Sequence, residues 1–404
     1  MTILTAIVFA LAQDPQPLEA RVAAYALQLQ VDATRDRARD RLVHLGKPAL
    51  ASLEKLGLAP ATLESIRQEI ALNDSLGSSY GAPHVFSSDG SEESLGVLLS
   101  RLETSAGMTF QKHAVDLSQK IAVRLDDATF WEALDEICGK ASIRYAPGTE
   151  PLYFGSGLTE TKPRAHYGSL LIVMDRVLLQ RRVTFDKTQS DCTIKLVCQW
   201  ERTISPLGLT GKYHLTQATD DSGASLLPLE APLPIPPQRP AIVRSGWQQV
   251  DLAGLRPPSP EAKKLARVEG TLELEFPSQV DELRFNTSTE QPPPPCEIPG
   301  ARVELKSCVR QSNWSVVAEF AIRFQDAAEA AKCRISPTDV LFVVPGDIPR
   351  SGYLTARVEK DVFSFSVNCR SGGRQELPKE IRLRIPRGSV IKNMPFCFKD
   401  VELK

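Results

Sequence analysis

ARVEGTLELEF, Ala266 to Phe276, places Val268, Leu272, Leu274 and Phe276 on one side of an extended chain and Arg267, Glu269, Glu273 and Glu275 on the other. Successive side chains of a strand point to opposite faces, so this period of two predicts an antiparallel strand with one dry and one wet face. The same period recurs in Asn313–Phe324, where Trp314, Val316, Ala318, Phe320, Ile322 and Phe324 share a face. It recurs again where Arg382 and Arg384 separate Ile381, Leu383 and Ile385. Pro-rich runs at Leu229–Pro240, Arg256–Pro260 and Gln291–Pro299 punctuate the strands and read as spacers rather than as ligands for aromatic grooves. The expected arrangement is two antiparallel β-sandwich-like domains, 151–290 and 300–404, with 291–299 as a Pro-rich linker.

Working outward, 404 residues exceed one ordinary domain, and 42% hydrophobic with 24% charged residues supports real cores and excludes global disorder. A formal net charge of −1 argues against nucleic acid as a partner. Leu341–Lys404 does carry 12 Lys/Arg against 7 Asp/Glu, an excess assigned to the solvated face of the alternating strands.

At the other end, Ile3–Ala12 is an apolar run too short to span a bilayer, and Ala10 and Ala12 form an A-x-A pattern before the polar Gln13-Asp14-Pro15. Residues 1–12 therefore read as a signal peptide cleaved after Ala12, which predicts an exported, periplasmic or extracellular chain without a membrane-spanning segment in its mature form. The expected n-region Lys or Arg is missing.

Leu18, Val22, Tyr25, Ala26 and Leu29 recur at helical spacing, and in Thr34–Ile70 Thr34 caps a helix, Gly46 ends it and Pro48 opens the next. A charged helix, a Gly-x-Pro turn and an Ala/Leu-rich helix resemble a unit of the HEAT-repeat superfamily, assigned to 13–76. One such unit cannot bury its own apolar face, so it must pack on the rest of the chain or on a partner. Residues 77–90, rich in Ser and Gly, read as a linker. Then Leu95, Leu98, Leu99 and Leu102 form one stripe, two short strands follow, and DDATFWEALDEICGKASIRYAP opens a helix at Asp127 or Thr129 bearing Phe130, Trp131, Leu134, Ile137 and Cys138. This order in 91–150 is similar to the small N-terminal domain shared by secretins and TonB-dependent receptors, and to modules of exported planctomycete-type proteins. The resemblance implies a small α/β domain that makes protein contacts and performs no chemistry. The fold class expected for the whole is multi-domain α+β: a short helical segment, this module, then the two sandwiches.

Eight cysteines, with no C-x-x-C pair, argue against zinc ribbons and redox motifs and for partial disulfide bonding. Cys192 and Cys198 share one strand and lie too far apart to bond each other. Cys138 reads as a buried free thiol. Cys308, counted on the polar face with Arg302, Glu304, Lys306 and Arg310, is expected to pair with Cys296, Cys333, Cys369 or Cys397.

No sequence motif for a nucleophile elbow, zinc helix, phosphate loop, dinucleotide or calcium site is present. Ser52-Leu53-Glu54-Lys55 matches S-x-x-K by chance inside a helix. His113 with Asp116 reads as a polar loop rather than as metal ligands, and His44, His84, His166 and His214 show no ligand spacing. Asp126-Asp127 reads as helix capping, and Asp220-Asp221-Ser222-Gly223 as a turn. Catalytic, cofactor and metal residues are thus all unassigned. Trp247, in RSGWQQVDL, is the one ligand-facing aromatic singled out. The reading is a non-enzymatic exported scaffold or protein-binding module of the cell envelope, with another envelope protein as partner. The alternatives are a carbohydrate-binding or surface-attachment protein and a hydrolase with scattered site residues.

Overall fold

The computed structural model describes residues 17–31, 35–108, 110–146, 152–156, 162–183, 188–228, 246–287, 293–312, 315–335, 339–343, 353–370 and 377–403. The proposed signal peptide, Thr34 and Trp314 lie outside them.

Four helices come first: α1 (Leu18–Gln28), α2 (Arg35–His44), α3 (Lys47–Lys55) and α4 (Pro60–Ser75). Gly46 takes φ +70° ahead of α3, where Pro48 falls in the first turn. Their apolar faces close on one another around Val22, Leu42, Leu53, Ile66 and Ile70, so the segment has a core of its own.

The small α/β module contains β1 (Val85–Ser94), α5 (Leu95–Ala106), β2 (Phe110–Ala114), β3 (Lys120–Thr129), α6 (Phe130–Ala141), β4 (Ile143–Tyr145) and β5 (Leu152–Ser156). β1 pairs with β3, while β5 lies between β2 and β4. Phe130, Trp131, Leu134 and Ile137 are fully buried against these strands, as the spacing predicts. The Glu132 carboxylate accepts the N–H of Thr129 at 2.9 Å, one half of a capping box. The module is wider than 91–150: β1 begins at Val85 and β5 runs to Ser156. Residues 77–90 are not a free linker either. Tyr80 bridges Ile204, and Gly81 donates to Thr203 O at 2.8 Å. A Cβ at Gly81 would stand 2.8 Å from that same oxygen, which is why the chain can approach so closely there.

The first sandwich sets the sheet β10-β8-β7-β6 against β20-β11-β9. Its strands are β6 (Arg164–Tyr167), β7 (Leu170–Val183), β8 (Thr188–Trp200), β9 (Gly208–Asp220), β10 (Trp247–Leu255), β11 (Lys264–Phe276) and β20 (Val390–Glu402). β7 begins as the unbroken run Leu170–Met174 because both its faces are covered. Leu170, Ile172 and Met174 enter the sandwich core, and Leu171 and Val173 enter that of the α/β module. The second sandwich sets β12 (Gln279–Asn286), β19 (Glu380–Arg387) and β16 (Val340–Val343) against a five-stranded sheet. That sheet contains β13 (Cys296–Ile298), β14 (Ala301–Ser312), β15 (Ser315–Phe324), β18 (Val362–Arg370) and β17 (Tyr353–Glu359), with the short helix α7 (Ala327–Lys332) beside it.

The α+β fold class holds, and a further boundary moves. The chain is mixed α+β with a helical start and antiparallel sandwiches. The division at 291–299 does not separate the sandwiches, however. β12, before it, pairs with β19 of the second sandwich, and the final strand β20 returns to pair with β11 of the first. A strand's period reports its faces, not its partner, so this exchange leaves no trace in the pattern.

Cys308 is also corrected. β14 carries a bulge at Lys306: Leu305 faces Phe320, and the next pair is Ser307 with Glu319. One extra residue reverses the alternation. Cys308 therefore turns toward the core and Val309 outward, 53% exposed. No cysteine forms a disulfide among the described residues, and Cys192 and Cys198 are separately buried along β8.

Candidate functional site

α5 follows β1 directly, its first turn anchored by Ser94, whose hydroxyl accepts the N–H of Val97 at 3.4 Å. Between this helix and the strand runs an open groove of about 810 Å³ lined by Val85, Phe86, Ser87, Val97, Arg101 and Thr104 among others. Val85 and Val97 stand 51% and 49% exposed on its walls. The Arg101 guanidinium lies 4.7 Å over the Phe86 ring, donates to Ser87 O and pairs with Glu93 at 2.8 Å. Among the described residues β3 is the one strand that pairs with β1, so the second edge of β1 has no partner strand. Such an edge is a template for an incoming strand, and an apolar groove beside it supplies side-chain contacts. The residues lining the groove are apolar, hydroxyl and guanidinium groups, chemistry suited to recognition.

Trp247 lies elsewhere, half-buried at the start of β10, an outer strand of its sheet, opposite Gln199. Trp131 and Trp200 are core residues. Nothing brings Trp247 to the groove.

Three of the histidines, scattered in sequence, meet carboxylates in space. His166 Nε2 lies 2.8 Å from Asp135 of α6, which also accepts the Tyr145 hydroxyl at 2.7 Å and a hydrogen bond from Arg164. Burial would raise the Asp135 carboxyl, but His166, Arg164 and Tyr145 together hold it below the usual range. His84 donates its backbone N–H to Glu201 at 3.0 Å, with its ring Nδ1 at 2.8 Å from the same carboxylate. Glu201 is fully buried, and burial pushes it up despite His84. The His113 side chain lies outside the described residues, and Asp116 accepts the N–H and hydroxyl of Ser118. Asp127 is no helix cap: it pairs with Arg21 at 3.0 Å and accepts the Tyr25 hydroxyl, holding α1 on the module. Asp220 does make the expected turn, accepting the N–H groups of Ser222 and Ala224.

A buried polar seam joins α2 and α4 to the first sandwich. Asp40 accepts the Gly168 N–H at 2.9 Å and sits 3.0 Å from His44 Nδ1. Gly168 has φ +52°, and a Cβ there would lie 2.5 Å from the His44 ring, so the turn between β6 and β7 needs glycine on both counts. His44 stacks on Tyr80 at 6.1 Å and meets Tyr167 edge-on. Burial would lower His44, yet Asp40 outweighs it and raises the imidazole above its ordinary value. Asp40 and His44 lie four apart on one helix face, a spacing that the reading of His44 as unpaired passes over. No protein-family model, curated protein or solved structure matches this chain.

Proposed function

We propose that this chain is an exported, non-enzymatic scaffold of the bacterial cell envelope that holds a protein partner in extended conformation along β1. The observation that carries the reading is the open β1 edge beside the Val85/Val97 groove. Main-chain hydrogen bonds to the edge would supply affinity, and the two exposed valines would select apolar side chains at alternate positions. The resemblance of 91–150 to the secretin and TonB-dependent receptor domain supports the same role, as does the HEAT-like character of 13–76. Export rests on Ile3–Ala12 and the A-x-A pattern.

Val97→Arg introduces a charge into the groove at a half-exposed helical position, where it spares the core. In a pull-down from envelope extracts, the wild type is expected to retain a stoichiometric protein that Val97→Arg loses and Trp247→Ala keeps. Retention of polysaccharide, lost with Trp247→Ala and kept by Val97→Arg, would replace this reading with carbohydrate binding.

A further inference from the structure

β20 turns Lys392, Met394, Phe396 and Phe398 toward the interior, and all four are buried. A lysine at the first of these positions is out of pattern, because removing an ammonium from water is costly and an apolar side chain of the same volume would serve packing at least as well. Lys392 is 1% exposed. Its Nζ lies 2.5 Å from Asn73 Oδ1 and 3.3 Å from Glu69 Oε1. Glu69 and Asn73 are four residues apart on α4, so one helix face presents an amide and a carboxylate to the same amine. The Tyr80 ring stands 4.6 Å and the Tyr167 ring 5.8 Å from Nζ, both rings buried, and these walls keep water from the amine, while Glu69 and Asn73 are partly buried. Arg39 holds the other Glu69 oxygen at 2.7 Å.

A buried amine walled by aromatic rings, in contact with a primary carboxamide and a carboxylate, supplies the parts of an amide exchange. We infer that Lys392 and Asn73 join in an intramolecular isopeptide bond, with Glu69 as the proton carrier. Glu69 takes a proton from the Lys392 ammonium and frees the amine lone pair. Nζ attacks Asn73 Cγ, forming the new C–N bond. The tetrahedral intermediate collapses with cleavage of Cγ–Nδ2: Glu69 returns its proton to the departing nitrogen, and the freed carboxylate then passes the second Nζ proton to it, so that it leaves as ammonium. No oxidant, reductant or co-reactant enters: one alkylammonium and one primary amide become one secondary amide and ammonium, a net loss of one ammonia from the chain. Burial favours the step, since it pushes the Lys392 amine below its ordinary value against the pull of Glu69 and Asp40. The bond ties α4 to the last strand of the first sandwich, across more than three hundred residues of chain. It supplies a covalent staple in a protein whose cysteines make no disulfide among the described residues.

The intact mass of the purified full-length chain, measured after denaturation, decides the matter. The expected value is the sequence mass, corrected for any N-terminal processing, less one ammonia. Proteolysis should yield a branched peptide joining the Asn73 and Lys392 fragments, absent from Lys392→Met and Asn73→Ala. A wild-type chain that melts cooperatively yet carries Lys392 and Asn73 in separate, unmodified peptides overturns the inference. Glu69→Gln isolates the proton carrier: a folded variant with the linked fraction strongly reduced is the expected result, and linkage as complete as in wild type would remove Glu69 from the mechanism.

Discussion

α6 and α4 both reach β structure, yet they are held in opposite ways. α6 inserts Phe130, Trp131, Leu134 and Ile137 into the sheet side of its module, so that apolar contact dominates its packing. α4 gives its apolar residues Ile66 and Ile70 to the helical segment and meets the first sandwich through Glu69 and Asn73 on Lys392, beside Asp40 and His44 of α2. The α1–α2 flank docks on the module in the same polar fashion, with Arg37 and Arg41 on Glu132 and Arg21 on Asp127. Apolar burial is non-directional and tolerant of approximate geometry, whereas a polar seam is favourable only when every partner is in place. The α6 contact therefore behaves as a core, and the seam as a set of specific locks.

The largest effect tests the core side of that contrast. Trp131 is fully buried, stacks edge-on with Phe130 at 4.8 Å and donates its indole N–H to Ser169 O at 3.1 Å. Trp131→Ala should cost about 3–5 kcal/mol, read from denaturant or thermal unfolding. A variant that melts like wild type but loses partner binding would convert this ring from core to ligand site and erase the comparison.

The seam should give less per residue. Asp40→Ala leaves the Gly168 N–H buried without its acceptor and removes the partner of His44. The expected loss is about 1–3 kcal/mol. Amide exchange should also rise at Gly168, while the α6 amides stay protected. An equal loss of protection in both places would mean that the two contacts unfold as one unit.

How legible these two contacts were in the sequence follows from the same physics. The α6 face was readable because a 3.6-residue period and a cap sit within one short stretch, and the sandwich strands because their period is two. Lys392 falls within the basic excess of Leu341–Lys404 that reads as a solvated face, since charge is a sound surface signal unless a distant helix supplies the partners. Glu201 with His84, and Asp135 with His166, were invisible for the same reason: each pair is made by tertiary contact alone. The β1 groove left only the residues of its walls, and nothing in their order says that the strand's second edge is open. Trp247, chosen for its polar flanks, turned out half-buried on an outer strand away from the groove.

A smaller effect separates seam from core by pH. The His44 pKa is raised above its ordinary 6.5 by Asp40 in the folded chain. A raised folded pKa favours the protonated folded state, so this contribution is complete below 6.5 and fades as pH rises through the folded value. The melting difference between wild type and His44→Gln should be largest in mild acid and shrink toward alkaline pH. Wild type and Trp131→Phe, compared the same way, should keep a constant difference. A His44→Gln difference that grows with pH would place the neutral imidazole in the folded seam, with Asp40 too weak to hold the proton.

The smallest effects discriminate the two faces of β14. By simple alternation from Val303 and Leu305, Val309 belongs inside and Cys308 outside. The bulge at Lys306 reverses this, so that Cys308 packs on the second core and burial pushes its thiol up to about 11. Cys308→Ser places a hydroxyl where a sulfur contacts apolar side chains and should cost about 1 kcal/mol. Val309→Thr keeps a β-branched side chain on an exposed face and should stay within about 0.5 kcal/mol of wild type. Alkylation of Cys308 in the folded chain should be slow near neutral pH, because so little thiolate is present. If the order inverted, with Val309→Thr the costlier change and Cys308 rapidly alkylated, β14 would run without its bulge and the polar-face assignment of Cys308 would stand.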